Sequence, residues 1–365
     1  MKKILLLAGE ESGVLYAKEL ASKLQVKSQS EGEEIEIRGY QDYGFETGDL
    51  AVFGFFAVLK KIFYFLRVKK TMEKVIVEWK PDVVVTIDYP GMNLKLAAFA
   101  KRNGIKAVHV VCPQVWAWHQ GRIPKIEASL DKLCCFFPFE PGLFKPGLAE
   151  FVGHPLAWAF QKLDHNPSTF NLQPSSFETR EAGLVAVLPG SRIGEIEKHL
   201  AIQLEAVKGR SYLIPAASKK AYNAIVKLKG NAENVIMGGA RELLRKADVA
   251  IVASGTASLE AALAGVPTVI VYKVGALTAS FLRRAIKGVK HVGLANIIAE
   301  KAGAECPLPE LLQENFTAAN VKRYVDKWLD DPQERAKAVE ALSNTMKLLV
   351  TDSDPIAKIA ELITR

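Results

Sequence analysis

Two glycine-bearing turns in the second half of the chain have the composition of an anion cradle. Leu188-Pro189-Gly190-Ser191-Arg192 follows an apolar run and precedes a helical pattern at Ile193, Ile196 and Leu200. This sets Gly190 and Ser191 at a helix N-terminus, where unpaired backbone N–H groups and the helix dipole favour an anion. Arg192 adds a planar donor fork that suits a diphosphate. Ala253-Ser254-Gly255-Thr256-Ala257-Ser258-Leu259-Glu260 repeats the plan. Gly255 permits close backbone approach, and Ser254 and Thr256 supply hydroxyls. Glu260 lies one helical turn beyond Thr256, where it could accept hydrogen bonds from a ribose diol. Taken singly, each turn is equally a capped helix start with Arg192 or Glu260 in solvent. Two such turns in one βα series are harder to dismiss, because ligands of open α/β sheets bind at the carboxyl ends of the strands. Neither turn is GxGxxG or GxxxxGK[ST], which disfavours NAD-binding and P-loop readings.

The first half places carboxylates where the second half places cations. Gly9-Glu10-Glu11-Ser12-Gly13 follows the apolar run Ile4–Leu7 and opens a helix. Gly9 and Gly13 let the chain pass close to a ligand. Glu10 makes a poor phosphate cradle but an adequate hydroxyl acceptor; a helix start that favours acids in its first turn explains it equally. Asp88 ends the run Val83-Val84-Val85-Thr86-Ile87. A carboxylate at the end of a buried parallel strand could deprotonate a sugar hydroxyl. It could also cap the helix that begins near Pro90. Pro113-Gln114-Val115-Trp116-Ala117-Trp118-His119 could stack on a sugar or uracil, although indoles packed between elements are commoner. His119 has no second His at ligand spacing. His109 alternates within a strand and reads as a satisfied polar residue. Gly153-His154-Pro155 closes the first half in a turn.

These residues need strands and helices to carry them. Apolar runs at Ile4–Leu7, Val83–Ile87, Ala107–Val111 and Leu133–Phe137 alternate with helical patterns. A second series follows at Leu184–Leu188, Tyr212–Ile214, Val235–Met237, Val249–Val252 and Thr268–Val271. Such alternation predicts an α/β chain of two doubly wound, Rossmann-like parallel-sheet domains with a cleft between them. The polar stretch from Asp164 to Glu181 reads as the linker. The predicted domains are 1–163, 182–345 and a terminal helix within 346–365 that packs back on the first. Asp354-Pro355 supplies that helix with an N-cap and a Pro at its first position.

Composition narrows the class. The chain has 365 residues, 49% hydrophobic and 24% charged, which excludes fibrous and disordered readings. Its 48 Lys+Arg against 40 Asp+Glu leave +8, which admits an anionic partner without selecting one. Four cysteines without a CxxC pair argue against a disulfide scaffold or a zinc ribbon and fit a reduced, cytosolic compartment. MKKILLLAGEES is too short an apolar run for a signal peptide and reads as a strand. Residues 51–70 combine Phe53, Phe55, Phe56, Phe63, Tyr64 and Phe65 with Lys60, Lys61, Arg67, Lys69 and Lys70. Aromatics beside bases suit an interfacial segment on anionic lipid, and equally a buried helix with solvated ends. No spanning helix and no nucleic-acid recognition module is present in the pattern.

The strings AGEESG (8–13), AVFG (51–54), PDVVVTIDYPGMN (81–93), PQVWAW (113–118), PFE (138–140) and FVGHPLA (151–157) stand in order along the first half. LPGSR (188–192), ASGTASLEAAL (253–263), NIIA (296–299) and PELLQ (309–313) follow in the second. Together they resemble the lipid-A-disaccharide synthases, glycosyltransferases of the GT-B fold, over nearly the whole length. The resemblance implies transfer of 2,3-diacylglucosamine from its UDP derivative to 2,3-diacylglucosamine 1-phosphate. It implies a β-1,6 disaccharide 1-phosphate as product, UDP as leaving group, inversion at the anomeric carbon, and no metal or cofactor. It also implies peripheral attachment to the cytoplasmic face of a Gram-negative inner membrane, through Phe53, Phe55, Phe56, Lys60, Lys61, Phe63, Phe65 and Arg67. Asp88 matches the family's catalytic base, and Glu10 and Asn296 match active-site positions; which of Asp88 and Glu10 takes the proton stays open. Gly190, Ser191, Arg192, Ser254, Gly255, Thr256, Glu260 and Asn296 would hold UDP. Ser12, Gly13, Asn93, Gln114, Trp116 and His154 would line the acceptor side. A homodimer is compatible with the sequence and not specified by it.

The chain departs from the family pattern at Val14, Gly91, Trp158 and Ala57, where acidic residues or PDFN are usual. Altered acyl-chain or acceptor preference is one consequence. Two other readings remain: a different GT-B sugar enzyme, such as a UDP-GlcNAc epimerase or a peptidoglycan transferase, and a non-catalytic binder of UDP-sugar or lipid.

Overall fold

The computed structural model describes residues 1–46, 61–163, 182–275 and 289–365. Phe53, Phe55, Phe56, Ala57 and Lys60 and the stretch 164–181 lie outside the described residues. The first half runs β1 (Lys2–Ala8), α1 (Glu11–Glu31), β2 (Ile35–Arg38), α2 (Ile62–Trp79), β3 (Val83–Ile87), α3 (Pro90–Arg102), β4 (Lys106–Val110), α4 (Ile123–Ser129), β5 (Lys132–Cys135), β6 (Ala149–Phe151) and α5 (Pro155–Leu163). The second half runs β7 (Leu184–Leu188), α6 (Ile193–Ala206), β8 (Ser211–Ala216), α7 (Lys219–Lys229), β9 (Val235–Met237), α8 (Ala240–Lys246), β10 (Val249–Ala253), α9 (Thr256–Leu263) and β11 (Thr268–Tyr272). It continues with α10 (Leu294–Lys301), β12 (Glu310–Leu312), α11 (Ala318–Asp330), α12 (Pro332–Met346) and α13 (Pro355–Thr364). Two compact units result: Met1–Trp158 with Thr351–Arg365, and Ala159–Val350.

Each unit is built on a six-stranded sheet, ordered β2-β1-β3-β4-β5-β6 in the first and β12-β11-β10-β7-β8-β9 in the second. Every strand pair in both sheets is parallel. The central strands are continuous apolar runs because both sheet faces are covered by helices. In β1, Ile4 and Leu6 pack with α1 and α13, while Leu5 and Leu7 pack with α2 and α3. In β7, Val185 and Val187 face α6, α7 and α11, and Leu184 and Ala186 face α8 and α9. All nine apolar runs identified in the sequence are strands. The sequence missed β2 (IEIR), β6 (AEF) and β12 (ELL). All three are sheet edges. An edge strand needs little apolar surface and tolerates charge, so its pattern is faint.

Topology decides where ligands can go. In the first sheet the chain leaves β1 for β2 on one side and returns to β3 on the other. In the second it leaves β7 for β8 and β9 and returns to β10. The gaps at the carboxyl ends of β1/β3 and of β7/β10 are therefore topological switch points. Ala8 pairs with Ile87, so Gly9 and Asp88 leave their strands side by side. Val252 pairs with Leu188, so the two glycine turns also leave side by side.

Helix α13 belongs to the first unit and packs on α1. Asp354 caps it by accepting from the N–H groups of Ile356 (2.9 Å) and Ala357 (3.4 Å). Lys2 and Lys106 donate to its last carbonyls, Thr364 (2.5 Å) and Leu362 (2.9 Å), where cations complement the dipole. Among the described residues, no helix is long and apolar enough to cross a membrane.

Candidate functional site

At the β7/β10 switch point lies a pocket of about 370 Å³ in the second unit. Gly190, Ser191, Arg192, Ser254, Gly255, Thr256 and Glu260 all line it. Residues of β8 and the start of α8 close its other wall. The loops are fixed from behind. Gly190 has φ 117° and lies so close to Glu195 that an added Cβ would sit 2.5 Å from its carboxylate. Glu195 in turn pairs with the Arg192 guanidinium at 3.1 Å and accepts from the Arg192 backbone N–H at 3.4 Å. His199, buried on α6, makes a 2.8 Å hydrogen bond to the Pro189 carbonyl and accepts from the Lys273 N–H at 3.0 Å. Gln203 donates to the Leu188 carbonyl. Gly255 caps α9 with φ 153°, and the space where its Cβ would stand is open. Glycine is therefore needed there for conformation rather than for packing.

Glu260 accepts from Arg241 Nε at 2.8 Å, a partner from α8 that no local motif announces. The Ser254 hydroxyl donates to the Val292 carbonyl at 3.0 Å. Asn296 does not line this pocket. It is fully buried, donates to Leu308 O (2.7 Å) and Glu310 Oε1 (2.9 Å), and accepts from Leu308 N. Glu310 also accepts from the N–H groups of Val292 and Gly293. Asn296 thus braces the segment that receives the Ser254 hydroxyl, a positioning place one step behind the pocket.

At the β1/β3 switch point the first unit gathers Glu10, Asp88 and Tyr89. Burial pushes the Asp88 carboxyl above its ordinary value, outweighing the 2.8 Å hydrogen bond it accepts from Tyr89 N–H. Burial and then the neighbouring Asp88 charge raise Glu10 as well. Asp88 and Tyr89 both have left-handed backbone, φ 50° and 51°. Asn93, fully buried, holds this bend. Its amide nitrogen donates to the carbonyls of Leu7 (3.2 Å), Ile87 (3.0 Å) and Asp88 (2.9 Å), and its oxygen accepts from Tyr40 (2.7 Å). Gly9 is glycine because a Cβ would meet the Tyr89 ring at 2.5 Å. Gly13 packs on the Ile87 carbonyl, and Ser12 is exposed beside it.

Other candidates have structural surroundings. Trp116 is buried, edge-on to Phe137 and Phe139, and donates to Glu140 at 3.1 Å. Gln114 is exposed. His154 packs on Phe136 and Phe137 and accepts from Leu156 N; burial lowers it to about 4, so it is neutral. Val14 packs against the α1 core cluster and Trp158 is half-buried. On α2, Phe63 is 82% and Leu66 57% exposed, next to exposed Arg67 and Lys70. Phe65 instead packs against the core, and Lys61 is half-buried over the Tyr64 ring. A groove of about 330 Å³ between α2, α3 and α4 carries Lys69, Lys95, Arg102, Arg122 and Lys125 against one carboxylate, Glu73. Gly91 opens it. This basic groove is spread over three helices, so no single stretch of sequence displays it.

A family model described as lipid-A-disaccharide synthetase matches residues 4–358. The lipid-A-disaccharide synthase of Syntrophus aciditrophicus is 33% identical over 363 residues, covering 94% of this chain and 92% of its own. That of Neisseria meningitidis serogroup B is 34% identical over 348 residues, covering 91% and 88%. Among solved structures, Acinetobacter baumannii MurG matches with TM-score 0.58 at 14% identity over 100% of this chain and 99% of its own. CalG4, the calicheamicin glycosyltransferase, matches with TM-score 0.56 at 16% identity over 100% and 98%. These two show the GT-B fold, and the sequence matches show the lineage. The chain belongs to the lipid-A-disaccharide synthase family of glycosyltransferases.

Proposed function

We propose that this chain transfers 2,3-diacylglucosamine from UDP-2,3-diacylglucosamine to the 6-hydroxyl of 2,3-diacylglucosamine 1-phosphate. The bond from the anomeric carbon to the diphosphate oxygen breaks, and the bond to the acceptor oxygen forms on the opposite face with inversion. Asp88 takes the hydroxyl proton, and UDP departs with the electron pair. The observation that carries this reading is the gathering of both glycine turns and Glu260 around one pocket at a switch point. Backbone N–H groups at Ser191 and Thr256, with Arg192, stabilise the departing diphosphate. Glu260, oriented by Arg241, receives the ribose hydroxyls. Arg192 must share its guanidinium between Glu195 and the ligand. Burial keeps the Asp88 carboxyl basic, and the Asp88 charge in turn holds Glu10 above its ordinary value, since two nearby carboxylates resist joint ionisation.

The acceptor is a lipid, and the first unit offers features that suit one. Exposed Phe63 and Leu66 beside Arg67 and Lys70 fit the boundary of an anionic bilayer, on its cytoplasmic face. The basic groove, lined by Pro90 and Gly91 just past the Asp88 bend, fits phosphate-bearing lipid. Purified protein given both acylated sugars should yield the disaccharide 1-phosphate by mass spectrometry, with UDP formed only when the acceptor is present. Equal UDP release without acceptor would make the protein a hydrolase. Nucleotide binding without turnover would make it a binder.

A further inference from the structure

The sequence holds no CxxC pair, yet the fold assembles two cysteines with a carboxylate. Cys112 lies just past β4, Cys135 ends β5, and Glu140 follows five residues later. A ligating atom from each, the two Sγ atoms and a carboxylate oxygen, lies within 4.8 Å of the others. All three residues are buried, at 4%, 0% and 1% exposure. Burying a carboxylate is costly unless something compensates it. Glu140 accepts from Trp116 Nε1 at 3.1 Å and from Phe137 N–H at 3.1 Å. These two donors orient the carboxylate as outer-shell partners orient a metal ligand. Phe137 and Phe139 stack on each other and set their edges to Trp116, which shields the cluster from water.

We propose that Cys112, Cys135 and Glu140 form a structural site for a thiophilic d¹⁰ cation, zinc(II) being the fitting ion. Two sulfurs select against magnesium and calcium, which take oxygen shells. Tetrahedral zinc with bonds of about 2.0–2.3 Å needs donors roughly 3.3–3.8 Å apart. The three atoms reach that spacing by side-chain adjustment on the order of 1 Å. Binding converts both thiols to thiolates and ionises the Glu140 carboxyl, which burial pushes up to about 8, releasing up to three protons to solvent; the two sulfurs balance the ion's charge and Glu140 supplies the third bond. The Cys112 thiol donates to the Pro113 carbonyl at 3.3 Å, a hydrogen bond that ionisation of the thiol would give up. The site would tie the ends of β4 and β5 to the Trp116 loop. It is separate from the nucleotide pocket and does not rest on the proposed reaction.

The test uses full-length protein from zinc-supplemented cultures, desalted and assayed by inductively coupled plasma mass spectrometry. About one zinc per chain is expected, with X-ray absorption showing two sulfur scatterers and a remaining oxygen shell. Cadmium exchange should bring in thiolate-to-cadmium charge-transfer absorption. Cys112→Ser with Cys135→Ser should lower bound metal at least tenfold. Cys306→Ser, which removes the thiol beside His291, should leave it unchanged. A metal-free wild type that shows no cadmium band overturns the proposal. So does a zinc shell of nitrogen and oxygen alone, or retention of metal in the double variant. The absorption measurement on wild type stands even if the double variant fails to fold.

Discussion

Asp88 is a half-buried carboxylate bent away from its strand. Two consecutive non-glycine residues in left-handed backbone cost of order 1–3 kcal/mol each and persist only when their surroundings insist. Here Asn93 supplies that insistence, its two amide N–H groups shared among three carbonyls and its oxygen accepting from Tyr40. A base must be ionised to act, so a raised carboxyl value places the acid limb of the rate profile above the ordinary aspartate range. Activity should therefore rise with pH through that raised value. Asp88→Asn should lower kcat by about 10²-fold or more and abolish that limb. An unchanged profile of pH against kcat/KM would assign the proton to another group, with Glu10 first in line. At this scale the sequence was informative where the chemistry is local. Gly190, Gly255 and Asp88 stand at strand ends that apolar runs announce. Arg241, His199 and Tyr40 act through partners distant in the chain, and no spacing rule displays them. Trp116 shows the converse: an indole in a conspicuous motif, committed to Glu140 and two phenyl rings.

Among the elements, α13 shows how the first unit is completed by the end of the chain. Ile356, Ile359 and Ile363 recur at helical spacing and are buried with Ile4, Leu6 and Leu24. The Asp354 cap and the lysines at its carboxyl end fix its direction. Ile359 is fully buried, so Ile359→Ala should destabilise the unit by about 2–5 kcal/mol in urea unfolding. A change under about 0.5 kcal/mol would mean that α13 is not part of that core. The helix was legible because its cap and its apolar stripe agree. The edge strands β2, β6 and β12 were not legible, because an edge buries little and its residues answer to solvent as much as to the sheet. Helix α2 was legible in composition but not in allocation: Phe63 faces out and Phe65 in, because residues two apart on one helix do not share a face.

Over the whole molecule, the same device occurs twice. Each unit winds its sheet outward from a central strand, returns to the other side, and leaves a gap at the carboxyl ends. The second unit fills that edge with main-chain donors, Arg192 and hydroxyls, the first with two carboxylates. The fold alone would support several chemistries. The proposed reaction uses that allocation of charge, assigning the diphosphate to the second unit and the proton to the first. Part of the chain's positive excess is gathered in the α2–α3–α4 groove, which only the folded chain assembles. A crystal structure of the protein soaked with UDP is the decisive observation. The diphosphate should lie within hydrogen-bonding distance of the main-chain N–H groups at Ser191 or Thr256, with the ribose hydroxyls on Glu260. A nucleotide bound elsewhere on the protein, with those two turns untouched, would contradict the assignment.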